Sequence, residues 1–205
     1  NQPSTYIARD VSDYYSATVL NQICEGLVGI DPKTTKILPK IASEWKRGND
    51  GKSYTFTIRD DVFFHEHAVF ESKEERKLTP EDVVKTFELG CTLNSDGIAP
   101  SLFSMVCKDL IKGANEFMSK SANSISGIVV KDNKVTFELV YEDHNFLYKL
   151  ANVNADIVSK KIVESGRKII GFDLCEVGNK ECDANVGARI LYKLCNLMGK
   201  SQLIA

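Results

Sequence analysis

His65, Glu66 and His67 are adjacent, and in a strand the two imidazoles point to the same side. With Glu71 they form a candidate zinc set. The helical His-Glu-x-x-His arrangement is absent, so no metal site is expected. Asp143 and His144 adjoin in a candidate loop. A hydrolase needs a nucleophile and a base oriented by a third group. No Gly-x-Ser-x-Gly occurs, so the chain reads as a non-enzyme. Gly26 and Gly29 lack the Walker lysine and the Rossmann spacing, so no nucleotide cofactor is expected. The six cysteines are Cys24, Cys91, Cys107, Cys175, Cys182 and Cys195. They show no Cys-x-x-Cys or zinc-knuckle spacing. Cys175 and Cys182 flank a polar stretch and form the candidate disulfide. Cys24 and Cys91 fall on apolar helical faces and read as small buried hydrophobes.

These residues need elements to hold them. Tyr54, Phe56 and Ile58 alternate with polar residues, the period of a half-buried strand. Asp50-Gly51 before them signals a tight turn. Thr79 reads as a helix N-cap, with Pro80 at the first helical position and Glu81 and Asp82 in the first turn. Asp82 completes a capping-box variant. Val83, Val84, Phe87 and Cys91 continue at helical spacing. Ile128 to Val130, an Asp132-Asn133 turn, and Val135, Phe137 and Leu139 predict a hairpin. Short helices are expected at Phe146–Leu150 and Ser159–Glu164. Thr5 to Ala8 is a strand candidate. Ser12 is expected to cap a helix whose Tyr15, Val19 and Ile23 form one row, extended by Ala17, Leu20, Cys24 and Leu27. Leu27 to Ile30 reads as a strand closing on the Asp31-Pro32 turn. Residues 121–126 and 171–185 read as loops, and Ala188, Ile190, Tyr192 and Leu194 as a late strand.

At 205 residues the chain is long enough for one or two domains with a sizeable core. It is 43% hydrophobic and 26% charged, with a net charge of −2. That balance argues against a nucleic-acid or polyanion partner. The mixed-sign run Glu71 to Lys77 reads as a solvated loop. No apolar run reaches a membrane-spanning length.

One stretch, Gln22 to Phe87, carries a pattern in order and spacing. It contains Gln22-Ile23-Cys24-Glu25-Gly26-Leu27-Val28, Asp31-Pro32 and Pro39-Lys40-Ile41-Ala42-Ser43-Glu44-Trp45. Asp50-Gly51, Tyr54 through Arg59, Val62-Phe63-Phe64-His65 and Leu78 through Phe87 follow. The stretch resembles the oligopeptide/dipeptide class of solute-binding proteins of ABC importers. Two departures stand out: Glu66-His67 replaces the usual Asp-Gly, and an insert around Glu71 to Lys77 lengthens the loop. The family places a histidine at position 65 in a structural turn. The likeness weakens after residue 90, although residues 127–165 still resemble the family's hairpin and following helix.

The resemblance implies a mixed α/β (α+β) fold like a type II periplasmic binding protein, here partial and lacking the second ligand-closing lobe. Residues 1–46 with 169–205 would belong to the main lobe, and 47–168 to a small accessory domain. Trp45 would pack between them. A fragment, or an unusually short homologue, is the expectation. Residues near the start of the first helix face the cleft in this family. That makes Asp10, Ser12, Tyr14, Tyr15 and Ser16 the candidate ligand-binding residues. A helix N-terminus offers free N–H groups, and the two tyrosines offer flat amphipathic contacts. The competing reading places Tyr15 in the core and Tyr14 on the surface.

The implied function is non-catalytic solute capture in the periplasm or cell envelope, with an oligopeptide or dipeptide as the default ligand. Nickel chelates, haem and sugars are bound by related proteins. ABC permease subunits would be partners, and a lipid anchor upstream would give peripheral membrane association. The alternative is a stand-alone sensor or assembly module of the same fold that binds a protein partner.

Overall fold

The computed structural model describes residues 4–165 except 6, 23, 65 and 66, together with the backbone of Cys175–Val177. The late strand expected at Ala188 to Leu194, the Cys175–Cys182 pairing and the His65-Glu66 part of the metal set lie outside the described residues.

The centre is a four-stranded antiparallel sheet, ordered β3-β4-β7-β6. Its strands are β3 (Ala42–Arg47), β4 (Ser53–Ile58), β6 (Ile128–Lys131) and β7 (Lys134–Glu138). Tyr54, Phe56 and Ile58 are buried on one face, as their alternation predicts. Tyr54 stands opposite Phe137, and Phe56 opposite Val135. On the other face Thr55 and Thr136 hydroxyls meet at 2.9 Å, a polar cross-strand pair. At the β3–β4 turn Gly51 has φ +68, which a glycine adopts without strain. The Asp50 carboxylate accepts the Lys52 and Ser53 N–H groups there. Trp45, opposite Phe56 on the edge strand, packs partly buried against the main core.

Helix α2 (Pro80–Gly90) covers the apolar sheet face. Phe87 meets Phe137 edge-on at 4.9 Å. Phe146, on α4 (Phe146–Leu150), completes the cluster at 5.6 Å from Phe137 and 5.0 Å from Tyr54. Phe137 therefore touches rings from three elements, and truncating such a ring costs about 3–5 kcal/mol. The same core takes in Leu27, Val28, Ile41 and Ile157.

Around this unit lie the hairpin β1 (Val28–Ile30) and β2 (Ile37–Pro39), and the strand β5 (Val62–Phe64). The β1–β2 turn is closed by Asp31, which accepts the Lys33 and Thr34 N–H groups. β5 pairs antiparallel with β8 (Cys175–Val177), a strand inside the stretch expected to be loop. The remaining helices are α1 (Tyr14–Leu20), α3 (Ala114–Met118) and α5 (Lys160–Glu164). Phe103–Cys107 forms a π-helical turn that the sequence reading did not anticipate. The charged insert is exposed, and its Glu75 pairs with Lys161 of α5 at 2.5 Å. Among the described residues no helix is long and apolar enough to cross a membrane.

Two expectations near the N-terminus fail. Thr5 and Ile7 belong to no strand, and Ala8–Asp10 is a 3₁₀ turn. Helix α1 ends at Leu20 and is capped by Asp13, one residue after Ser12. The side chain of Asp13 accepts the Ser16 N–H, whereas Ser12 is exposed. The helix is therefore shorter than its apolar stripe, and Leu27 belongs to the main core instead.

The α2 cap doubles as a tertiary clamp. Asp82 is nearly fully buried. Its Oδ2 accepts the Thr79 N–H at 2.8 Å and the Thr79 hydroxyl at 2.9 Å. Its Oδ1 accepts the Lys160 N–H at 2.7 Å, which ties the start of α5 to the start of α2. Burial pushes this carboxyl up, and the three donors pull it down. Thr79→Ala should therefore lower unfolding stability by about 1 kcal/mol, measured by denaturant midpoint, with Thr79→Ser close to the parent. An unchanged midpoint in Thr79→Ala would remove the hydroxyl from this account.

Candidate functional site

Three anchors hold the segment from Ala8 to Ser16. The first is local. Ser16 is completely buried, and its hydroxyl accepts the N–H groups of Ser4 at 3.0 Å and Thr5 at 3.1 Å. That hydroxyl donates to Asp13, as does the hydroxyl of Ser4. These donors, first the Ser16 hydroxyl and then that of Ser4, hold the Asp13 carboxyl far below the usual range.

The other two anchors are long-range. Asn154 is buried in the 3₁₀ turn Val153–Ala155. Its amide donates to Ala8 O and Val11 O, both at 2.9 Å. Val11, Leu20 and Val153 form a small apolar cluster beside it. Arg9 reaches the C-terminal end of α2, donating to Leu89 O at 2.6 Å and Thr92 O at 3.1 Å. A cation placed on the last carbonyls of a helix is favoured there.

With the segment so fixed, the tyrosines project outward. Tyr14 is 78% exposed and Tyr15 44% exposed. Their rings meet edge-on, centroids 5.9 Å apart. Tyr15 is therefore not a core residue. Asp10 sits half-buried beside Arg9 at 3.5 Å. Its Oδ1 is buried without a hydrogen-bond partner, and burial raises its pKa against the pull of Arg9. Of the five expected site residues, then, Ser12, Tyr14 and Tyr15 are exposed, Asp10 lies at the edge, and Ser16 faces inward. Asp13, Arg9 and Asn154 were not anticipated. The Asp13-x-x-Ser16 spacing is a legible N-cap signal; nothing local marks Asn154 or Arg9.

A second polar group lies under the Glu25-Gly26-Leu27 motif. Glu25 O accepts the Ile157 N–H at 2.9 Å. A Cβ on Gly26 would come within 3.1 Å of Leu150 O and 3.3 Å of Asp156 Oδ1, which accounts for the glycine. Glu25 pairs with Lys40 at 3.1 Å. Glu25 Oε2 and Asp156 Oδ2 are buried without hydrogen-bond partners. Burial first, and the Glu25 carboxylate second, push the Asp156 carboxyl well above the usual range, with Lys40 opposing. His144 is exposed, with Nε2 3.6 Å from Glu142 Oε1, and stands in no nucleophile–base arrangement with a described residue.

The comparisons with known proteins bear on family and fold. Residues 36–173 match the family described as "Bacterial extracellular solute-binding proteins, family 5 Middle". The chain belongs to that family of solute-binding proteins. It is 28% identical over 172 residues to the dipeptide-binding protein of Escherichia coli, covering 81% of this chain and 29% of that protein. It is also 28% identical over 149 residues to the peptide transport periplasmic protein SapA of Salmonella typhimurium, covering 69% of this chain and 24% of the relative. A dipeptide binding protein from Pseudoalteromonas sp. SM9913, solved in complex with Met-Leu, superposes with a TM-score of 0.64 at 26% identity. That match covers 84% of this chain and 32% of the solved one. The Escherichia coli murein tripeptide binding protein MppA shares the fold, with a TM-score of 0.68 at 22% identity. The chain thus spans about a quarter to a third of the length of these proteins and corresponds to part of a type II periplasmic-binding-protein architecture.

The Asp156 environment sets a pH dependence. A folded-state pKa above the unfolded one means that the folded protein keeps its proton longer. The group's contribution is intact below the unfolded pKa and is lost as pH rises through the folded value. Asp156→Asn should therefore be more stable than the parent by about 1–3 kcal/mol at pH 7–8, the difference shrinking toward pH 4. Denaturant melts across that range check this. A variant less stable at neutral pH than at pH 4, relative to the parent, would contradict it.

Proposed function

We propose that this chain forms part of the peptide-binding component of an ABC importer and works outside the cytoplasm without catalysis. The observation that carries the reading is the family match together with two exposed tyrosines on a rigidly anchored helix start. In this reading Ser12, Tyr14 and Tyr15 line one wall of the ligand cleft. Asp10 and Ser16 position that wall. Residues 1–46 with 169–205 belong to the main lobe and 47–168 to the accessory domain. The dipeptide and tripeptide ligands in the names of similar proteins favour a short peptide over a nickel chelate, haem or sugar. Delivery would be to ABC permease subunits. The stand-alone sensor or assembly module is not favoured by any of these relatives.

A peptide held between two lobes is met by backbone groups and by wet, tolerant side-chain pockets. Aromatic rings contribute area at low entropic cost. A protein three times this length supplies the opposite wall, including an acid for the peptide amino group. A desolvated charge contact is worth about 2–5 kcal/mol, roughly 30- to 4,000-fold in affinity. Residues 1–205 alone should therefore bind di- to pentapeptides at millimolar strength or weaker. The full-length protein should bind at micromolar strength and lose about tenfold in Tyr14→Ala. Isothermal titration checks all three. Micromolar binding by residues 1–205 would overturn the shared-cleft reading, and an unchanged Tyr14→Ala would remove that ring from the site.

A further inference from the structure

We propose that the charged insert between β5 and α2 forms a second ligand site, which takes a small organic anion carrying a phosphate or carboxylate group. The insert is where this chain leaves the solute-binding pattern, and nothing in the ligand wall uses it. Its ends are closed by a bridge between Phe63 and Lys77 and by the Leu78 N–H, which donates to Val62 O at 2.9 Å. Between these ends lies an open cavity of about 520 Å³, lined by His67, Phe70, Glu71, Ser72, Lys73 and Arg76.

A charge run of this composition reads as a solvated loop, yet here it is tied down from within. Phe70 lays its ring parallel to that of the fully buried Phe64, with centroids 6.4 Å apart and within stacking range. Glu75 Oε2 accepts the Glu71 N–H at 2.7 Å and the Lys161 ammonium at 2.5 Å, which fastens the loop to α5. The Ser72 hydroxyl accepts the Glu75 N–H at 3.3 Å, and Glu74–Arg76 winds into a 3₁₀ turn. The Phe70 N–H closes back on His67 O at 3.0 Å. Walls held in this way are in place before a ligand arrives, which lowers the ordering cost of binding.

The lining selects for negative charge. Lys73 and Arg76 bring two cations against the single carboxylate of Glu71. Lys73 pairs with no carboxylate among the described residues; its ammonium rests over the Phe63 ring, 5.2 Å from the centroid. A ring face positions an ammonium without a competing oxygen acceptor. His67 has a defined tautomer. Its Nδ1 accepts the Val69 N–H at 3.2 Å, so in the neutral ring the proton sits on Nε2, which is then a donor. The Glu75 carboxylate is already neutralised by Lys161. Cationic donors of this kind suit the oxygens of a phosphate or carboxylate. They also oppose the zinc reading of His67 and Glu71, because a metal ion would stand beside two like charges.

The cavity also sets the size of the occupant. A volume of about 520 Å³ is more than a bare phosphate ion fills, and it falls within the range of small-molecule sites, about 300–1,000 Å³. Phe70 adds apolar surface beside the cations, which favours an organic anion over an inorganic one. The site stands apart from the ligand wall. The insert leads into the N-terminal end of α2, and Arg9 grips the opposite end of that 11-residue helix. At 1.5 Å per residue the two ends are about 16 Å apart.

The test is isothermal titration of the full-length protein with phenyl phosphate, phthalate and inorganic phosphate. One of the two organic dianions should bind with a dissociation constant of about 1 mM or tighter, and the tighter of the two identifies the head group. Inorganic phosphate should bind about fivefold more weakly or worse, because it leaves Phe70 uncovered. Lys73→Gln should weaken the organic dianion about tenfold. Glu71→Gln should strengthen it about two- to threefold by removing the opposing charge. Lys46→Gln, which removes an exposed cation on β3, should leave the affinity unchanged. Lys73 and Glu71 are both exposed, so circular-dichroism melts of their variants should match the parent. The absence of heat from either organic dianion at about 10 mM would overturn the proposal. So would equal affinity for inorganic phosphate, equal losses in Lys46→Gln and Lys73→Gln, or binding that neither insert variant changes. None of these readouts depends on what the ligand wall binds.

Discussion

One apolar sheet face organises the molecule. Tyr54, Phe56 and Ile58 on β4, with Val135 and Phe137 on β7, need a cover, and α2 supplies it. Phe137 lies at the meeting point, in contact with the rings of Phe56, Phe87 and Phe146. Close packing of this kind leaves little freedom in where α2 and α4 sit. Both long-range anchors of the segment from Ala8 to Ser16 hang from α2 or from the turn that follows α4. Arg9 grips the end of α2, and Asn154, shortly after α4, grips the 3₁₀ turn at Ala8–Asp10.

Polar groups inside this frame divide into two kinds. Asp82 is buried but satisfied, with three donors from two helices, and such a group specifies an arrangement. Asp156 and Glu25 each keep a buried oxygen without a hydrogen-bond partner. That arrangement costs stability at neutral pH and is not needed by the core around it. It is confined to the Glu25-Gly26-Leu27 turn, where three chain segments pass within hydrogen-bonding distance of each other.

What could be read from the residues follows the range of the forces involved. Strand β4, the β6–β7 hairpin, the α2 cap, α4 and α5 are set by local alternation, turn chemistry and capping, and the structure has them where those signals lie. The N-terminal region was harder. Ser12 and Asp13 are both good caps, and the choice went to Asp13 because its carboxylate also takes the hydroxyls of Ser4 and Ser16. The apolar stripe running on to Leu27 suggested a longer α1, but Leu27 is claimed by the sheet core. The exposed tyrosines were legible as candidates only through the resemblance. The contacts of Asn154 and Arg9 depend on segments distant in sequence, and no local pattern encodes them.

The central claim is that the start of α1 forms part of the wall against which a short peptide lies. Site-directed photocrosslinking tests it most directly. A benzophenone amino acid placed at Tyr14 of the full-length protein, irradiated with a short labelled peptide, should transfer the label to the protein in a manner blocked by excess unlabelled peptide. The same probe at Tyr148, exposed on α4 with its hydroxyl on Thr35 O, should not. Equal labelling at both positions, or none at Tyr14 while the protein still binds peptide in solution, would contradict the account.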